Sequence, residues 1–233
     1  MKTTLFLPVR NEINGVKLIL PRIDRNWVDE VVVVDGNSTD GTYEYFQNYD
    51  CKLVRQKSIG VCGAYWECLE VATGDVIIAF SPDNNSIPEL IPPLIKKMKE
   101  GYDMVIVSRY KDGAKSEDDD VVTGFGNWMF TKVINLIFGG RYTDTLVIFR
   151  AFRKEIVAAL GMDEKKHPVF EVQMAIRCAK YKMKVAEIAG DEPKRIGGVR
   201  KMRPIYNGSA IGYVILKELF SRRLKMSSSS ERT

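Results

Sequence analysis

Apolar and polar positions alternate in blocks along the first half of the chain. Residues 3–7 form an apolar run that predicts a strand, and residues 12–20 carry helical spacing. Residues 30–34 include four valines and end at Asp35, the pattern of a strand buried on both faces. A helix is expected over 39–48 with Asp40 in its first turn, then a short strand at 52–55. A helix over 64–72 closes near Gly74, and a strand follows at 75–80. A helix over 88–99 ends before Gly101 and leads to a strand at 103–107. This order predicts an α/β fold, a mainly parallel central sheet with helices on both faces. The second half is less regular. It offers a polar loop at 111–120 with an acidic run, an apolar helix over 126–138, a strand at 146–152, a helix over 169–181 and a strand at 184–188. A basic loop at 191–204 and an amphipathic helix over 209–224 complete the pattern. No repeat or linker divides the chain. The expected organisation is a catalytic domain at 1–205, a helical appendage at 206–226 and a disordered tail at 227–233.

Open parallel sheets bind ligands outside the carboxyl ends of their strands. Four such ends are polar here. The first leads into Pro8, Val9, Arg10, Asn11 and Glu12; the second into Asp35, Gly36, Asn37, Ser38 and Thr39; the fourth into Ser81, Pro82, Asp83, Asn84 and Asn85; the fifth into Ser108, Arg109 and Tyr110. Together they suit a nucleotide diphosphate. Asp35 offers a carboxylate to a base or ribose. Asp83 and Asn85 offer hard oxygens to a divalent cation, Mg²⁺ or Mn²⁺, bridging the diphosphate. A departing nucleotide diphosphate gains negative charge, which a metal and the arginines Arg109 and Arg195 would stabilise. Each segment alone has a plainer reading: turn formers after the second strand, a helix cap at 81–88, and a carboxylate partner for Arg109. Their joint placement at successive strand ends points to a ligand.

Composition narrows the class. Hydrophobic residues make up 45% and charged residues 28%, which is ordinary for a folded domain. Cys51, Cys62, Cys68 and Cys178 form no CxxC pair, so zinc is not expected and the thiols are read as reduced. His167 is the one histidine and is read as a surface residue, which argues against His-based metal sites and triads. No leader pattern precedes the first strand, and no stretch reaches the roughly 20 apolar residues that span a bilayer. The expected location is the cytoplasm, with peripheral attachment to the inner face of the membrane left open. Net charge is +5, and from residue 191 onward ten Lys or Arg face four Asp or Glu, which implies an anionic partner. Nucleic acid is not expected, because the basic residues lack interleaved aromatic platforms.

Taken in order, these motifs resemble the family 2 glycosyltransferases of the GT-A (nucleotide-diphospho-sugar transferase) fold, and within them the polyprenyl-phosphate sugar transferases. The likeness covers roughly residues 3–203. The stretch from Leu7 to Glu12 resembles the family's opening strand and nucleotide-contacting turn. The valine strand ending at Asp35 resembles its base-contacting strand. The stretch from Gly60 to Leu90 resembles the approach to its DxD metal motif. By that resemblance Asp83 matches the second Asp of DxD, and Asn85 matches the amide that follows it in this branch. Ser81 replaces the first Asp. Ser108 to Tyr110 resembles the arginine motif after the fifth strand. Asp144 with Phe149 to Arg153 resembles the DxTSGFRAFR segment, with Leu146, Val147 and Ile148 in place of small residues. Lys194 to Lys201 resembles the RxxGxSK phosphate loop, with Arg195, Gly198 and Lys201 matching and Arg200 replacing Ser.

The resemblance implies an inverting displacement at an anomeric carbon. It implies catalytic roles for Asp83, Arg109, Asp144 and Arg195, and nucleotide-sugar contacts from Pro8, Arg10, Asn11, Glu12, Asp35, Asn37, Ser38, Gly60, Ser81, Asp83 and Asn84. Phosphate or acceptor contacts fall to Arg109, Arg195, Arg200 and Lys201, and the metal to Asp83 and Asn85. A phosphate acceptor is already an anion and needs no general base; a hydroxyl acceptor needs one, for which Asp144 and Glu171 are candidates. The acceptor is a lipid phosphate or a glycan hydroxyl. Residues 126–138 are apolar around too much of the helix for one buried stripe, and the last helix lines up Ile211, Ile215 and Leu219 beside a basic end. A membrane surface, a second copy of the chain, and packing on the domain itself all remain open for these faces. A non-catalytic nucleotide-sugar or anionic-partner binding protein is the alternative of another class, prompted by Ser81.

Overall fold

The computed structural model describes residues 1–162, 169–197 and 204–221. A seven-stranded sheet runs in the order β3-β2-β1-β4-β6-β5-β7, where the strands are β1 (Thr3–Val9), β2 (Glu30–Asp35), β3 (Lys52–Arg55), β4 (Val76–Ala79), β5 (Met104–Ser108), β6 (Arg150–Arg153) and β7 (Val185–Ala189). All neighbouring pairs are parallel except those made by β6, which runs antiparallel to β4 and β5. Alternation along each strand sends side chains to two cores. Phe6, Val32 and Val34 join one, and Leu5, Leu7, Val31 and Val33 the other. The second core is closed by α1 (Ile13–Ile19), α2 (Thr42–Gln47) and α4 (Ile91–Lys99), through Val16, Phe46 and Leu94 among others. The first is closed by α3 (Gly60–Val71), α5 (Val121–Phe138), α6 (Lys154–Ala159), α7 (Phe170–Lys180) and α8 (Pro204–Phe220). Helices on both faces of a mainly parallel sheet is the architecture expected.

Several elements differ from the pattern-based reading, each for a local reason. The helix expected from residue 39 starts at Thr42, because Asp40 is spent on the loop: it accepts from the Thr42 backbone at 3.0 Å and the Ile13 backbone at 3.1 Å. The strand expected at 146–152 begins only at Arg150. That residue is wholly buried and donates to the carbonyls of Thr145 and Val147 and, at 3.0 Å, to that of Glu171. Gathering those carbonyls curls 145–149 out of the sheet. The short helix α6 went unread.

The apolar helix begins at Val121 rather than 126, because Asp120 caps it by accepting from Thr123 N at 2.7 Å. At 18 residues with a mean hydropathy of 1.2 it is long and apolar enough to cross a membrane by length and composition alone, and it is longer than the apolar segment read around Trp128 to Phe138. Its buried residues are Asn127, Thr131 and Ile134, while Phe125, Trp128 and Leu136 are exposed. The polar stripe faces the protein and the apolar stripe faces outward. Helix α8 packs on α5 and α7. Ile211 and Ile215 of the expected stripe are buried, Leu219 is exposed, and Glu218 accepts from Arg177 at 2.7 Å inside the contact. The appendage is thus seated on the domain. His167, Gly198, Arg200, Lys201, the basic residues after 221 and the expected tail lie outside the described residues.

Candidate active site

The parallel strands bring their carboxyl ends to one edge, and a cleft of about 1510 Å³ lies along it. Three of the loops there pass through the left-handed region at asparagine: Asn11 (φ 54°), Asn37 (φ 61°) and Asn84 (φ 77°). Asparagine tolerates that region better than other side chains, which explains its recurrence after β1, β2 and β4. The loops are tied together. Ser38 Oγ accepts from Asn11 N at 2.9 Å, and Asn11 Oδ1 accepts from Thr39 N at 2.8 Å. Asn11 and Ser38 therefore brace the loops, while Pro8, Arg10, Glu12, Asn37, Gly60, Ser81, Asp83, Asn85, Arg109 and Arg195 line the cleft. Asn84 serves the turn, donating to Lys194 O at 2.7 Å.

Asp35 is fully buried at the end of β2. Its Oδ1 accepts from Ser38 N at 2.9 Å and its Oδ2 has no hydrogen-bond partner among the described residues, although its neighbours Val34, Gly36 and Asn37 line the cleft. An unpartnered buried carboxylate oxygen is costly unless a ligand donor meets it.

The Asp83 turn offers hard oxygen donors. Asp83 Oδ1 accepts from Asn85 N at 3.1 Å, and Asn85 Oδ1 is buried without a partner among the described residues. Among the described residues no group of three or more His, Cys, Asp or Glu gathers as a metal cage. Two oxygens on one turn would suit a hard divalent cation, held there by Asp83 and Asn85. Gly15 makes the turn's position possible: a Cβ there would lie 2.6 Å from Pro82 O and 2.9 Å from Asp83 Cα. No sequence signal marked that glycine.

Arg109 and Asp144 form a buried pair. The Arg109 Nε donates to Asp144 Oδ2 at 2.7 Å and a terminal nitrogen donates to Oδ1 at 3.1 Å. Asn127 of α5 donates to the same Oδ1 at 3.0 Å. The other Arg109 nitrogen reaches Glu192 at 3.1 Å and Asp119 at 3.4 Å. Burial raises the Asp144 carboxyl, but the adjacent guanidinium and its hydrogen bonds outweigh it and hold the group below the ordinary carboxylate range. Three carboxylates surround this guanidinium, which ties Asp144 to Asp119 and Glu192 of the loops at 111–120 and 191–197 while still lining the cleft. Asp144, ionised and enclosed, is poorly placed as a base.

The cleft changes character along its length. Beyond Arg109 it is walled by Phe125 and Phe130 of α5, by Leu146, Val147 and Ile148, and by Tyr206 and Ile211 of α8. Glu171, in the first turn of α7, lines this apolar arm. Burial pushes its carboxyl up, the opposite of Asp144.

A family model described as glycosyl transferase family 2 matches residues 4–161. The chain belongs to glycosyl transferase family 2. It is 31% identical over 225 residues to a dolichol-phosphate mannosyltransferase of Pyrococcus furiosus, covering 87% of this chain and 60% of that relative's length. It is 29% identical over 226 residues to an undecaprenyl-phosphate mannosyltransferase of Micrococcus luteus, covering 91% of each. Among solved structures, glucosyl-3-phosphoglycerate synthase from Mycobacterium tuberculosis in complex with Mn²⁺, uridine-diphosphate and phosphoglyceric acid superposes with a TM-score of 0.69 at 16% identity, over 95% of this chain and 80% of that one. The family assignment makes the chain a glycosyltransferase of GT-A fold, with its sequence kin in the polyprenyl-phosphate branch.

Some residues of the site in this family 2 chain escaped the sequence reading. Glu192 and Asp119 bind Arg109 from 83 and 10 positions away. Asn127 sits in the middle of an apolar helix. The inward polar stripe Asn127, Thr131 was the available signal, since a polar stripe on an otherwise apolar helix needs a buried partner.

Proposed function

We propose that the chain transfers a hexose from a nucleotide diphosphate sugar, UDP- or GDP-linked, to a polyprenyl phosphate, with inversion at the anomeric carbon. The observation that carries this reading is the continuity of the cleft: hard oxygens at one end, an apolar arm between α5 and α8 at the other. The loops after β1 and β2 hold the nucleoside, with Asp35 Oδ2 meeting a base or ribose donor. Asp83 and Asn85 hold a divalent cation, which when bound supplies positive charge to the departing diphosphate. Arg195 adds a second positive charge there. Arg109 and Asp144 fix the wall that separates donor from acceptor. A phosphate acceptor arrives ionised, which agrees with Asp144 being locked in an ion pair instead of free as a base. The outward apolar stripe of α5 and the exposed Tyr213, Leu216 and Phe220 of α8 suit peripheral attachment to a membrane that holds the acceptor's hydrocarbon chain.

A second reading has one observation of its own. Glu171, buried in the apolar arm with its carboxyl pushed up, has the character of a general base for a sugar hydroxyl in polysaccharide or glycolipid synthesis. Glu171→Gln separates the two: transfer to a phosphate survives it, and transfer to a hydroxyl does not.

The donor half is tested by thermal unfolding with UDP-, GDP- and dTDP-sugars, with and without Mn²⁺. One nucleotide class raises the midpoint, because a ligand of the native state stabilises it by mass action. Asp83→Ala removes the metal-dependent part. A shift untouched by that substitution takes the metal away from Asp83.

A further inference from the structure

The segment after β7 is stitched onto the Asp83 turn. Asn84 Nδ2 donates to Lys194 O at 2.7 Å, Asn85 Nδ2 to Pro193 O at 3.1 Å, and Ile196 N to Asp83 O at 2.9 Å. Asp118 Oδ1 accepts from Arg195 N at 3.3 Å on the far side. These bonds hold the backbone of residue 195 over the turn. One terminal nitrogen of its guanidinium stands 3.0 Å from Asp83 Oδ2, and the other stands 3.6 Å from Glu12 Oε1. The Arg195 Nε is buried and has no hydrogen-bond partner among the described residues. Asp83 is only 3% exposed, and the Arg195 guanidinium is its cationic partner there.

That places a side-chain cation on the oxygen assigned above to a divalent ion. Two cations in contact with one carboxylate oxygen repel each other strongly at such separations. We propose that Arg195 is a resident counter-ion of Asp83, displaced when the divalent cation binds, and that the displaced guanidinium turns to the diphosphate. The proposal rests on the metal reading of the site and adds an order to it. Metal and arginine exclude one another on Asp83, yet assist one another once a diphosphate offers the arginine a new anion. The guanidinium can turn without undoing the strap, because the strap is fastened by backbone groups and by Asn84 and Asn85. In this role Arg195 is a positioning residue for the empty-handed enzyme and a phosphate ligand in the loaded one.

The test is a Mn²⁺ titration of the full chain without nucleotide, followed by the electron paramagnetic resonance signal of the free ion. Wild type is compared with Arg195→Gln, Asp83→Asn and Lys99→Gln. The last removes an exposed positive charge in the last turn of α4, outside the cleft lining. Thermal melts confirm that each variant is folded. Arg195→Gln is expected to bind Mn²⁺ about fivefold more tightly than wild type, Lys99→Gln to stay within about twofold, and Asp83→Asn to lose binding. At saturating Mn²⁺ the same Arg195→Gln protein is expected to bind UDP or GDP, whichever stabilises the wild type, about tenfold more weakly. A residue of purely structural value would weaken both ligands, and a plain phosphate ligand would leave the metal unmoved. Mn²⁺ binding that is unchanged or weaker in Arg195→Gln overturns the proposal, and so does an equal tightening in Lys99→Gln. If no variant binds Mn²⁺ even with the nucleotide present, the metal reading itself fails and takes the proposal with it.

Discussion

The two ends of the cleft are built by different means. At the polar end, several walls are loops leaving parallel strands, and hydrogen bonds between loops hold them: Ser38 to Asn11, Asn11 to Thr39, Asn84 to Lys194. At the apolar end the walls include helices, and one of them, α5, turns polar residues inward. Helix α5 turns Asn127 and Thr131 inward and exposes Phe125 (60%) and Trp128 (57%), which stack on each other. Leaving that stripe in water forgoes about 25 cal/mol per Å², which is why the proposed function seats it against a membrane. The difference teaches where each half of the chemistry is set. Sheet register fixes the donor end, and the Asp144 side chain, reached by both Arg109 and Asn127, couples the two ends.

The comparison can be broken at either end. The largest effect is expected from Asp83→Ala, which should lower transfer by about 10²–10³-fold while leaving vesicle binding unchanged, measured by product formation and by co-flotation with vesicles. Next comes Arg109→Ala. It leaves Asp144 buried and unpaired, and should lower unfolding free energy by about 3–5 kcal/mol in urea titration. A loss of activity without that loss of stability would make Arg109 a ligand contact and not an organiser. The double change Phe125→Ser and Trp128→Ser should reduce partition onto acidic vesicles by about tenfold or more, with little change in melting temperature. An unchanged partition would assign the exposed stripe to another neighbour.

The smallest effect concerns pH and contrasts Asp144 with Glu171. The folded-state pKa of Asp144 lies below the ordinary value, so its contribution to stability is complete above the ordinary carboxylate range and is lost as pH falls through the folded value. Glu171 is shifted upward, so the unfolded chain ionises first and stability declines as pH rises from the ordinary value to the folded one. Denaturation curves across that window should show Asp144→Asn weaker than wild type at neutral pH, with the gap narrowing in acid. Glu171→Gln should flatten the decline. A Glu171→Gln protein that instead loses stability at neutral pH would mean its carboxylate is paired in the ionised form.

The polar rim of the cleft was legible in the sequence because strand ends are. A run such as the four valines before Asp35 announces a buried strand, and the next polar residue must sit on the rim. The apolar end was legible only as an anomaly, a helix with too many apolar faces. Which face turned inward depended on Asp144, seventeen positions away from Asn127. Arg109 shows the same limit. Its place after β5 was visible, but its carboxylate partners Asp119 and Glu192 are gathered by loops with no periodic pattern. The strand expected at 146–152 failed for a related reason, since Arg150 draws the preceding carbonyls out of the sheet, a contact that no local propensity encodes.

The central claim is that one cleft joins a metal-held nucleotide sugar to a lipid phosphate. It is tested most directly by incubating the chain with the stabilising nucleotide sugar, labelled in the sugar, together with Mn²⁺ and vesicles containing a polyprenyl phosphate, then extracting the lipid. The account predicts label in the lipid fraction, attached through a phosphodiester with inverted anomeric configuration, and none with Asp83→Ala. Label that stays in the aqueous phase while a soluble sugar acceptor takes it up would contradict the account.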